Sequence, residues 1–275
     1  MRASPRTHYM ASQIYYIDSV VRNDLARGDV TSENDYSSNL CGAIRHYPFW
    51  LLGLRKPDFV HSRLLTKPEE MFFGCDGIIL FRILNSVKIG LFEAKWPRIR
   101  TGNHPWDYIS QSQGESHFHS QLVRQHVWRD SAAIWEMFYY EYPVGEYTPP
   151  FDKYGSTCAW HDVAYDYDAG LNHALCWTDE DLIQMLQRRP TDLNAQNYGT
   201  NLRHIILQVL LCQQGVPYGL PDNGLLLLKG DKNEVNIPLP DNPRTREQIP
   251  AFMEKRGLST YAYFDLEDGF DYKFE

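Results

Sequence analysis

Two apolar runs separated by one turn signal constrain the fold of this chain more than any other feature. Residues 71–84 read MFFGCDGIILFRIL, and a second apolar run covers residues 87–96 after the dipeptide Asn85-Ser86. Apolar runs of this length that are joined by turn-forming residues are typical of adjacent antiparallel strands. The sequence therefore predicts a β-hairpin over residues 71–96.

The second strand ends on two charged residues. Side chains alternate between the faces of a strand, so Glu93 and Lys95 share a face with the apolar residues 87, 89 and 91. In a hairpin this end lies beside the start of the first strand, where Asp76 is found. Glu93 and Lys95 by themselves would be interpreted as a salt bridge that emerges into solvent. Together with Asp76 they favour a metal site instead.

Two carboxylates on rigid backbone suit Mg²⁺ or Mn²⁺, which prefer oxygen ligands. Such an ion binds a phosphate oxygen and lowers the pKa of a bound water. A neighbouring lysine can orient the attacking water, help to deprotonate it, or stabilise the charge that develops on phosphorus oxygens. The hairpin end therefore has the residue types needed for phosphodiester hydrolysis.

Predicted helices flank the hairpin in the sequence. A helix over residues 31–47 places Glu33 in line with its buried apolar stripe, although a first-turn acid is also favoured by the helix dipole. A second helix over residues 115–129 places Gln121 and Gln125 on one face, four residues apart, although each residue taken alone is more typical of an ordinary surface or helix-packing position. A buried strand follows at residues 132–142. The order over residues 31–142 is helix, strand, strand, helix, strand, which indicates an α/β core.

Beyond these elements, the sequence predicts helices over 13–27, 179–189 and 200–213, and strands near 224–238 and 259–266. The acidic and aromatic segment 158–170 is interpreted as a plain surface loop, with a substrate loop or a lid as the alternative. His117 and His119 would not share a helical face, whereas His119 and His126 would; these histidines are interpreted mainly as surface residues or as residues that support a site indirectly.

An aspartate followed across a strand pair by Glu-x-Lys, here CDGIIL and FEAKWP, resembles the pattern of the PD-(D/E)XK nuclease superfamily. The proline that precedes the aspartate in that family is Cys75 here. The resemblance covers residues 31–142 and implies a restriction-endonuclease-like core, ordered helix-strand-strand-strand-helix-strand. Residues 1–145 would form this core, and residues 146–275 would form a C-terminal α+β extension that packs on it or belongs to the same domain.

The resemblance also implies roles for individual residues. Asp76 and Glu93 would hold Mg²⁺ or Mn²⁺, and Lys95 would position the attacking water. Glu33 would order a metal-bound water or a second ion, and Gln121 would support the lysine or the scissile phosphate. The implied activity is metal-dependent hydrolysis of phosphodiester bonds in DNA, which is favoured over RNA.

Charge distribution supports a nucleic-acid partner. The chain has a net charge of −8, which argues against unspecific coating of nucleic acid or of an anionic membrane. Residues 82–130, however, contain seven Lys/Arg and four Asp/Glu. The expected substrate contacts are Arg98, Arg100, Arg124 and Gln125, with Arg98 and Arg100 also compatible with a solvated loop. Trp96, Trp106 and Tyr108 lie among these residues and could stack on bases.

Other features limit the alternatives. There is no nucleotide-binding GxxxxGK[ST] or GxGxxG motif, and no apolar run of 18 residues that would span a membrane. The five scattered cysteines and the N-terminus without a secretory signal favour the cytoplasm, or delivery into a target cell. A homodimer and a protein partner bound through residues 146–275 stay open. The alternative function is a catalytically inactive nuclease-fold module that binds nucleic acid or a protein.

Overall fold

A computed structural model describes residues 5–46, 63–83, 86–97, 106–145, 150–187, 200–219, 225–239 and 262–265. The helices in these ranges are α1 (Pro5–Arg27), α2 (Glu33–His46), α3 (Lys67–Phe73), α4 (His117–His126), α5 (His161–Asp168), α6 (Asp179–Gln187) and α7 (Leu202–Leu210). The strands are β1 (Arg63–Leu64), β2 (Gly77–Ile83), β3 (Ser86–Lys95), β4 (Ala133–Phe138), β5 (Thr157–Trp160), β6 (Thr200–Asn201), β7 (Tyr218–Gly219), β8 (Leu225–Lys229), β9 (Glu234–Pro238) and β10 (Ala262–Asp265). The fold is mixed α/β.

A mixed sheet organises these elements. β2 and β3 are antiparallel, with Gly77 opposite Phe92, so the hairpin predicted from the two apolar runs is present. β3 and β4 run parallel and are joined through α4, and β5 and β6 continue the sheet in antiparallel order. β1 and β10 both pair with the other edge of β2, while β7 pairs with the first residues of β3. Segments from both sides of residue 145 therefore build one sheet.

Helices cover both faces of this sheet. α1, α2 and α7 pack on one face around a cluster that includes Phe81, Phe92 and Trp135. The hairpin β8–β9 and helices α3, α4, α5 and α6 cover the opposite face through two further apolar clusters. No helix in the described part of the chain is both long and apolar enough to cross a bilayer.

The strand predicted over residues 71–84 is wrong at its beginning. Residues up to Phe73 belong to α3, and β2 starts only at Gly77. The carboxylate of Glu69 accepts the N–H and the hydroxyl of Thr66, which fixes the helix start, and Pro68 suits the first turn. Gly74 ends the helix with a φ of 71°. These local signals outweigh the apolar character of the segment.

The surface loop predicted over residues 158–170 is also wrong. This segment forms most of β5, whose residues are all buried, and then α5. β5 lies between β4 and β6, and so its side chains face packed elements on both sides of the sheet. Of the other predicted elements, α1 begins earlier than residue 13 and β4 ends earlier than residue 142. Asn85, in the predicted turn, lies outside the described residues.

Candidate active site

A buried ion pair lies at the end of β3. Lys95 Nζ is 2.6 Å from Glu93 Oε1, and the two residues are 4% and 1% exposed. The interpretation as a salt bridge that emerges into solvent is therefore wrong for this pair. Removing two charges from water carries a desolvation cost that further polar partners must offset.

Helix α4 supplies one of these partners. Gln121 donates its side-chain amide to Glu93 Oε1, the same oxygen that contacts Lys95. The helix begins at Ser116, whose hydroxyl accepts the N–H of His119. Lys95 Nζ also lies 5.9 Å from the centre of the Phe118 ring. The helix thus covers the ion pair with both polar and aromatic contacts.

Gly74 sets how closely α4 approaches the site. A Cβ added to Gly74 would lie 2.5 Å from the carbonyl oxygen of Gln121 and 3.0 Å from Cβ of Arg124. Two residues further on, the chain enters the hairpin at Asp76. The glycine therefore brings the helix residue Gln121 and the strand residue Asp76 to the same end of the sheet.

Asp76 is bound to β3 by two hydrogen bonds. Its N–H donates to the carbonyl of Phe92 at 2.9 Å, and its Oδ2 accepts the N–H of Ala94 at 2.8 Å. The second bond holds the carboxylate against the backbone between Glu93 and Lys95. The hairpin register thus brings Asp76 to the charged end of β3.

Glu33 reaches the same place from α2. It occupies the first turn of that helix, and its Oε1 accepts the N–H of Trp96 at 3.0 Å. Trp96 directly follows Lys95, so Glu33 contacts the backbone where β3 ends. The structure thus brings together all five predicted catalytic residues, which come from the three elements α2, β3 and α4 and from the α3–β2 junction: Glu33, Asp76, Glu93, Lys95 and Gln121.

The carboxyl groups raise one another's pKa values. Burial is the main cause that raises the pKa of Glu93 to about 7, although the charge of Lys95 opposes the shift. Burial and the charge of Glu93 likewise raise the pKa of Asp76 well above its ordinary value. Burial alone would lower the pKa of Lys95, but the surrounding carboxylates outweigh it and raise that pKa. Lys95 therefore keeps its proton at neutral pH.

Several oxygen atoms of this site are buried without a hydrogen-bond partner among the described residues. Glu93 Oε2 and Gln121 Oε1 are buried and have no hydrogen-bond partner within the described ranges. The hydroxyl of Tyr139 is also buried without such a partner, and burial, Glu33 and Asp76 raise its pKa. Unpaired buried oxygens are costly, and a cation or an ordered water would satisfy them. Asp76 and Glu93 thus fit a hard cation such as Mg²⁺ or Mn²⁺.

Sequence reasoning missed Glu136, which lies beside Glu93. The two residues are partners across the parallel strands β3 and β4, and Glu136 is completely buried. Burial raises the pKa of Glu136 to about 8. The signal was present, because Glu136 is the one charged residue in the apolar run AAIWEMFYY.

The predicted substrate contacts have mixed outcomes. Arg124 is half-buried, and its Nη1 donates to Ser120 Oγ at 2.6 Å. Arg98 and Arg100 lie outside the described residues. Gln125 is fully buried and donates to the carbonyl of Gly74 at 2.7 Å, so it is enclosed by protein and not placed to bind a substrate. The expectation for Gln125 is therefore corrected.

The basic stretch of the sequence does not form one continuous surface. Lys88 is buried and donates to the carbonyl of Val209 at 3.0 Å, while Trp106 lies in the cluster around Phe118. Tyr108 is 55% exposed and stacks on the ring of His117, with 4.5 Å between the ring centres. Of the two aromatic residues Trp106 and Tyr108, only Tyr108 presents an open ring on which a base could stack.

The chain matches no family model, no curated protein and no solved structure. Functional assignment therefore depends on the residues and the geometry of the site.

Proposed function

We propose that this protein is a metal-dependent nuclease of the PD-(D/E)XK type, which hydrolyses phosphodiester bonds in DNA or RNA. One observation carries the proposal: Asp76, Glu93 and Lys95 meet at one end of the β2–β3 hairpin, with Glu33 and Gln121 in contact with that end. A second observation supports it. The order α2, β1, β2, β3, α4, β4, with α3 as an additional helix, agrees with the core expected for this superfamily.

Mg²⁺ or Mn²⁺ held by Asp76 and Glu93, with the carbonyl of Ala94 as a further ligand, would supply Lewis-acid activation of water and phosphate. The protein itself provides position and charge. Asp76 is held by the Ala94 N–H, and Glu93 is held by Gln121. Because Glu93 binds its proton with a pKa of about 7, cation binding near neutral pH would release that proton.

Lys95 acts as a fixed positive charge in this proposal. The carboxylates keep it protonated, so it orients the attacking water and stabilises negative charge on the phosphoryl oxygens. Glu33 would order a metal-bound water or a second ion from the α2 side, and Arg124, in the last turn of α4, would bind phosphate.

The test compares the wild-type protein with Lys95→Ala, Asp76→Asn and the control Lys229→Ala, whose lysine is exposed on β8. Supercoiled plasmid, linear single-stranded DNA and structured RNA are each incubated with Mg²⁺, Mn²⁺ or EDTA. We expect metal-dependent cleavage by wild type and Lys229→Ala, and loss of at least a hundredfold in rate in the other two variants.

Calorimetric titration with Mn²⁺ separates the alternatives. Suppose that Asp76→Asn binds Mn²⁺ more weakly than the wild type does, and that the wild type binds nucleic acid without cleaving it. This result would favour the catalytically inactive module. Equal Mn²⁺ binding by wild type and Asp76→Asn, with no cleavage of any substrate, would overturn the nuclease proposal.

A further inference from the structure

A second group of metal-ligand side chains lies where α4 ends and α5 begins. His126 is the last residue of α4, and His161 and Asp162 are the first two residues of α5. His126 Nδ1 lies 3.2 Å from His161 Nε2, and one ligand atom from each of the three residues lies within 4.8 Å of the others. None of these residues belongs to the carboxylate site at the end of β3.

Hydrogen bonds determine which nitrogen of His161 carries the proton. The carbonyl of Gly74 can only accept, so the amide nitrogen of Gln125 must face it, at 2.7 Å. The other end of that amide, Oε1, then faces His161 Nδ1 at 2.8 Å and must accept from it. Nδ1 therefore holds the proton, and Nε2 presents its lone pair toward His126.

The same hydrogen bonds orient the ring as outer-shell partners do in metal proteins. His161 Nδ1 also lies 3.4 Å from Oε1 of the Glu136 carboxyl group. A metal-binding histidine commonly donates its second nitrogen to a carboxylate or carbonyl oxygen, which fixes the ring and raises its basicity. His161 thus has both an oriented lone pair and a supported opposite nitrogen.

His126 is also fixed in position. Its ring stacks on Tyr165 with 3.6 Å between ring centres and an angle of 8° between the planes. The separation of 3.2 Å between His126 Nδ1 and His161 Nε2 is close to the ~3.3 Å expected for two nitrogens of a tetrahedral zinc site with bonds of about 2.0–2.1 Å. Burial lowers the pKa of both imidazoles, to about 4 for His161, so both are neutral at pH 7.

Charges around the cluster are compatible with a cation. Arg129 is the nearby positive group; its Nη1 donates to the carbonyl of His126 at 3.0 Å and lies 3.6 Å from the carboxylate of Asp231, which partly balances its charge. Asp162 and Asp166 add negative charge on α5. His126 also lies at the C-terminal end of α4, where the helix dipole favours positive charge.

Another His/Asp group in the described part of the chain is less suitable. His119, Asp168 and His173 also lie within ligand distance, but the two imidazole rings are stacked 3.5 Å apart at 15°. A metal lies in the plane of each imidazole that binds it, so two nearly parallel stacked rings cannot share one ion. His173 Nε2 is moreover 2.9 Å from the carbonyl of Asp168, to which it must donate.

We propose that His126 Nδ1, His161 Nε2 and the carboxylate of Asp162 form a Zn²⁺ site, with water as the fourth ligand. The site joins the end of α4 to the start of α5 and stabilises the helix that carries Gln121. Binding displaces the proton that His126 Nδ1 otherwise shares with His161 Nε2, and His126 stays neutral because its ring then carries the proton on the outer nitrogen Nε2. The proposal does not depend on nuclease activity.

Cobalt spectroscopy on the full-length, metal-free protein tests this site directly, because Co²⁺ in a tetrahedral N/O site absorbs visible light strongly and competes with Zn²⁺. We expect about one equivalent of Co²⁺ to give tetrahedral bands that Zn²⁺ removes. The exposed ligand Asp162 and the half-buried ligand His126 are changed in Asp162→Asn and His126→Gln. Each variant should bind Co²⁺ at least tenfold more weakly.

Two control variants identify the ion's location. Asp76→Asn removes a ligand of the carboxylate site, and His173→Gln alters the other His/Asp group; both should keep the cobalt bands. Zn²⁺ should also raise the thermal midpoint of wild type and Asp76→Asn, but not of Asp162→Asn. Absence of tetrahedral bands in wild type would overturn the proposal. Bands that are lost in Asp76→Asn or His173→Gln and kept in Asp162→Asn would overturn it as well.

Discussion

Glu93 and Glu136 lie side by side on the parallel strands β3 and β4, with both carboxyl groups buried. Glu93 has the ammonium of Lys95 at 2.6 Å, whereas Glu136 is contacted by the uncharged amide of Gln125. This difference agrees with the pKa values, which are about 7 for Glu93 and about 8 for Glu136. Burial thus raises both pKa values, and the ammonium of Lys95 favours the ionised form of Glu93.

Substitution of Glu136 should make stability less dependent on pH. Burial raises the folded-state pKa of Glu136 from its ordinary 4.5 to about 8, so the wild-type protein loses stability as pH rises through this window. Glu136→Gln lacks the ionisable group and should gain roughly 2–4 kcal/mol relative to wild type between pH 5 and pH 8.5.

Urea unfolding at several pH values in EDTA measures this difference. Glu180→Gln, at an exposed position on α6, serves as the matched control and should follow the wild-type curve. Parallel curves for wild type and Glu136→Gln would show that Glu136 does not bind a proton preferentially in the folded state.

Removal of the ammonium from the buried ion pair should affect stability as well as catalysis. Lys95→Met leaves Glu93 buried without its cation, which should lower the free energy of unfolding at pH 8 by about 3–5 kcal/mol. The double variant Glu93→Gln/Lys95→Met should recover most of this loss, because it has no unpaired charge. Neither variant should cleave nucleic acid. Additive losses in the double variant would contradict a direct pairing.

Gln121 should affect the reaction more than the fold. Gln121→Ala removes the donor to Glu93 Oε1, which should lower kcat about 10–100-fold, as loss of an outer-shell partner commonly does. Val123→Ala, at an exposed position on the same helix, should leave kcat unchanged. Steady-state kinetics with a saturating substrate separates kcat from KM. A change in KM alone would place Gln121 in substrate binding.

Gly74 should tolerate no side chain, because α4 lies against it. In Gly74→Ala the new Cβ would lie 2.5 Å from the carbonyl of Gln121, and φ is also 71°. Gly114 has a similar φ of 69°, but a Cβ added to Gly114 would have no heavy atom of the described residues within 4 Å. We expect Gly114→Ala to cost about 1 kcal/mol and Gly74→Ala about 2–4 kcal/mol, as measured by thermal or urea unfolding. Equal losses would mean that backbone strain alone limits both sites.

Local patterns were sufficient to predict the hairpin and the position of the charged pair. Alternation of side chains in residues 87–96 predicts that Glu93 and Lys95 share a face of the strand. The short connection between the two strands fixes their register, and this register places Asp76 beside the charged pair. The helix containing Glu33 was also predictable from its apolar stripe. These features depend on residues that are close together in the sequence.

Contacts between residues that are far apart in the sequence could not be predicted from local patterns. The contact between Glu93 and Glu136 depends on which strands pair, and β4 pairs with β3 only after the crossover through α4. The meeting of His126 with His161 depends on how α4 packs on α5, 35 residues further along the chain. The helix at residues 67–73 was not predicted, because the three apolar residues 71–73 were assigned to the following strand despite the helix-capping residues that precede them.

The crossover through α4 has a consequence for the order in which the protein folds. The β2–β3 hairpin needs contacts between residues that are near in sequence, so Asp76, Glu93 and Lys95 can meet early. The parallel pairing of β4 requires closure of the whole segment between the strands, which costs more chain entropy. Gln121 and Gln125 therefore reach the carboxylates late, and until then the charged end of β3 stays hydrated. Native-state hydrogen exchange should report α4 and β4 as a unit that opens before the hairpin does.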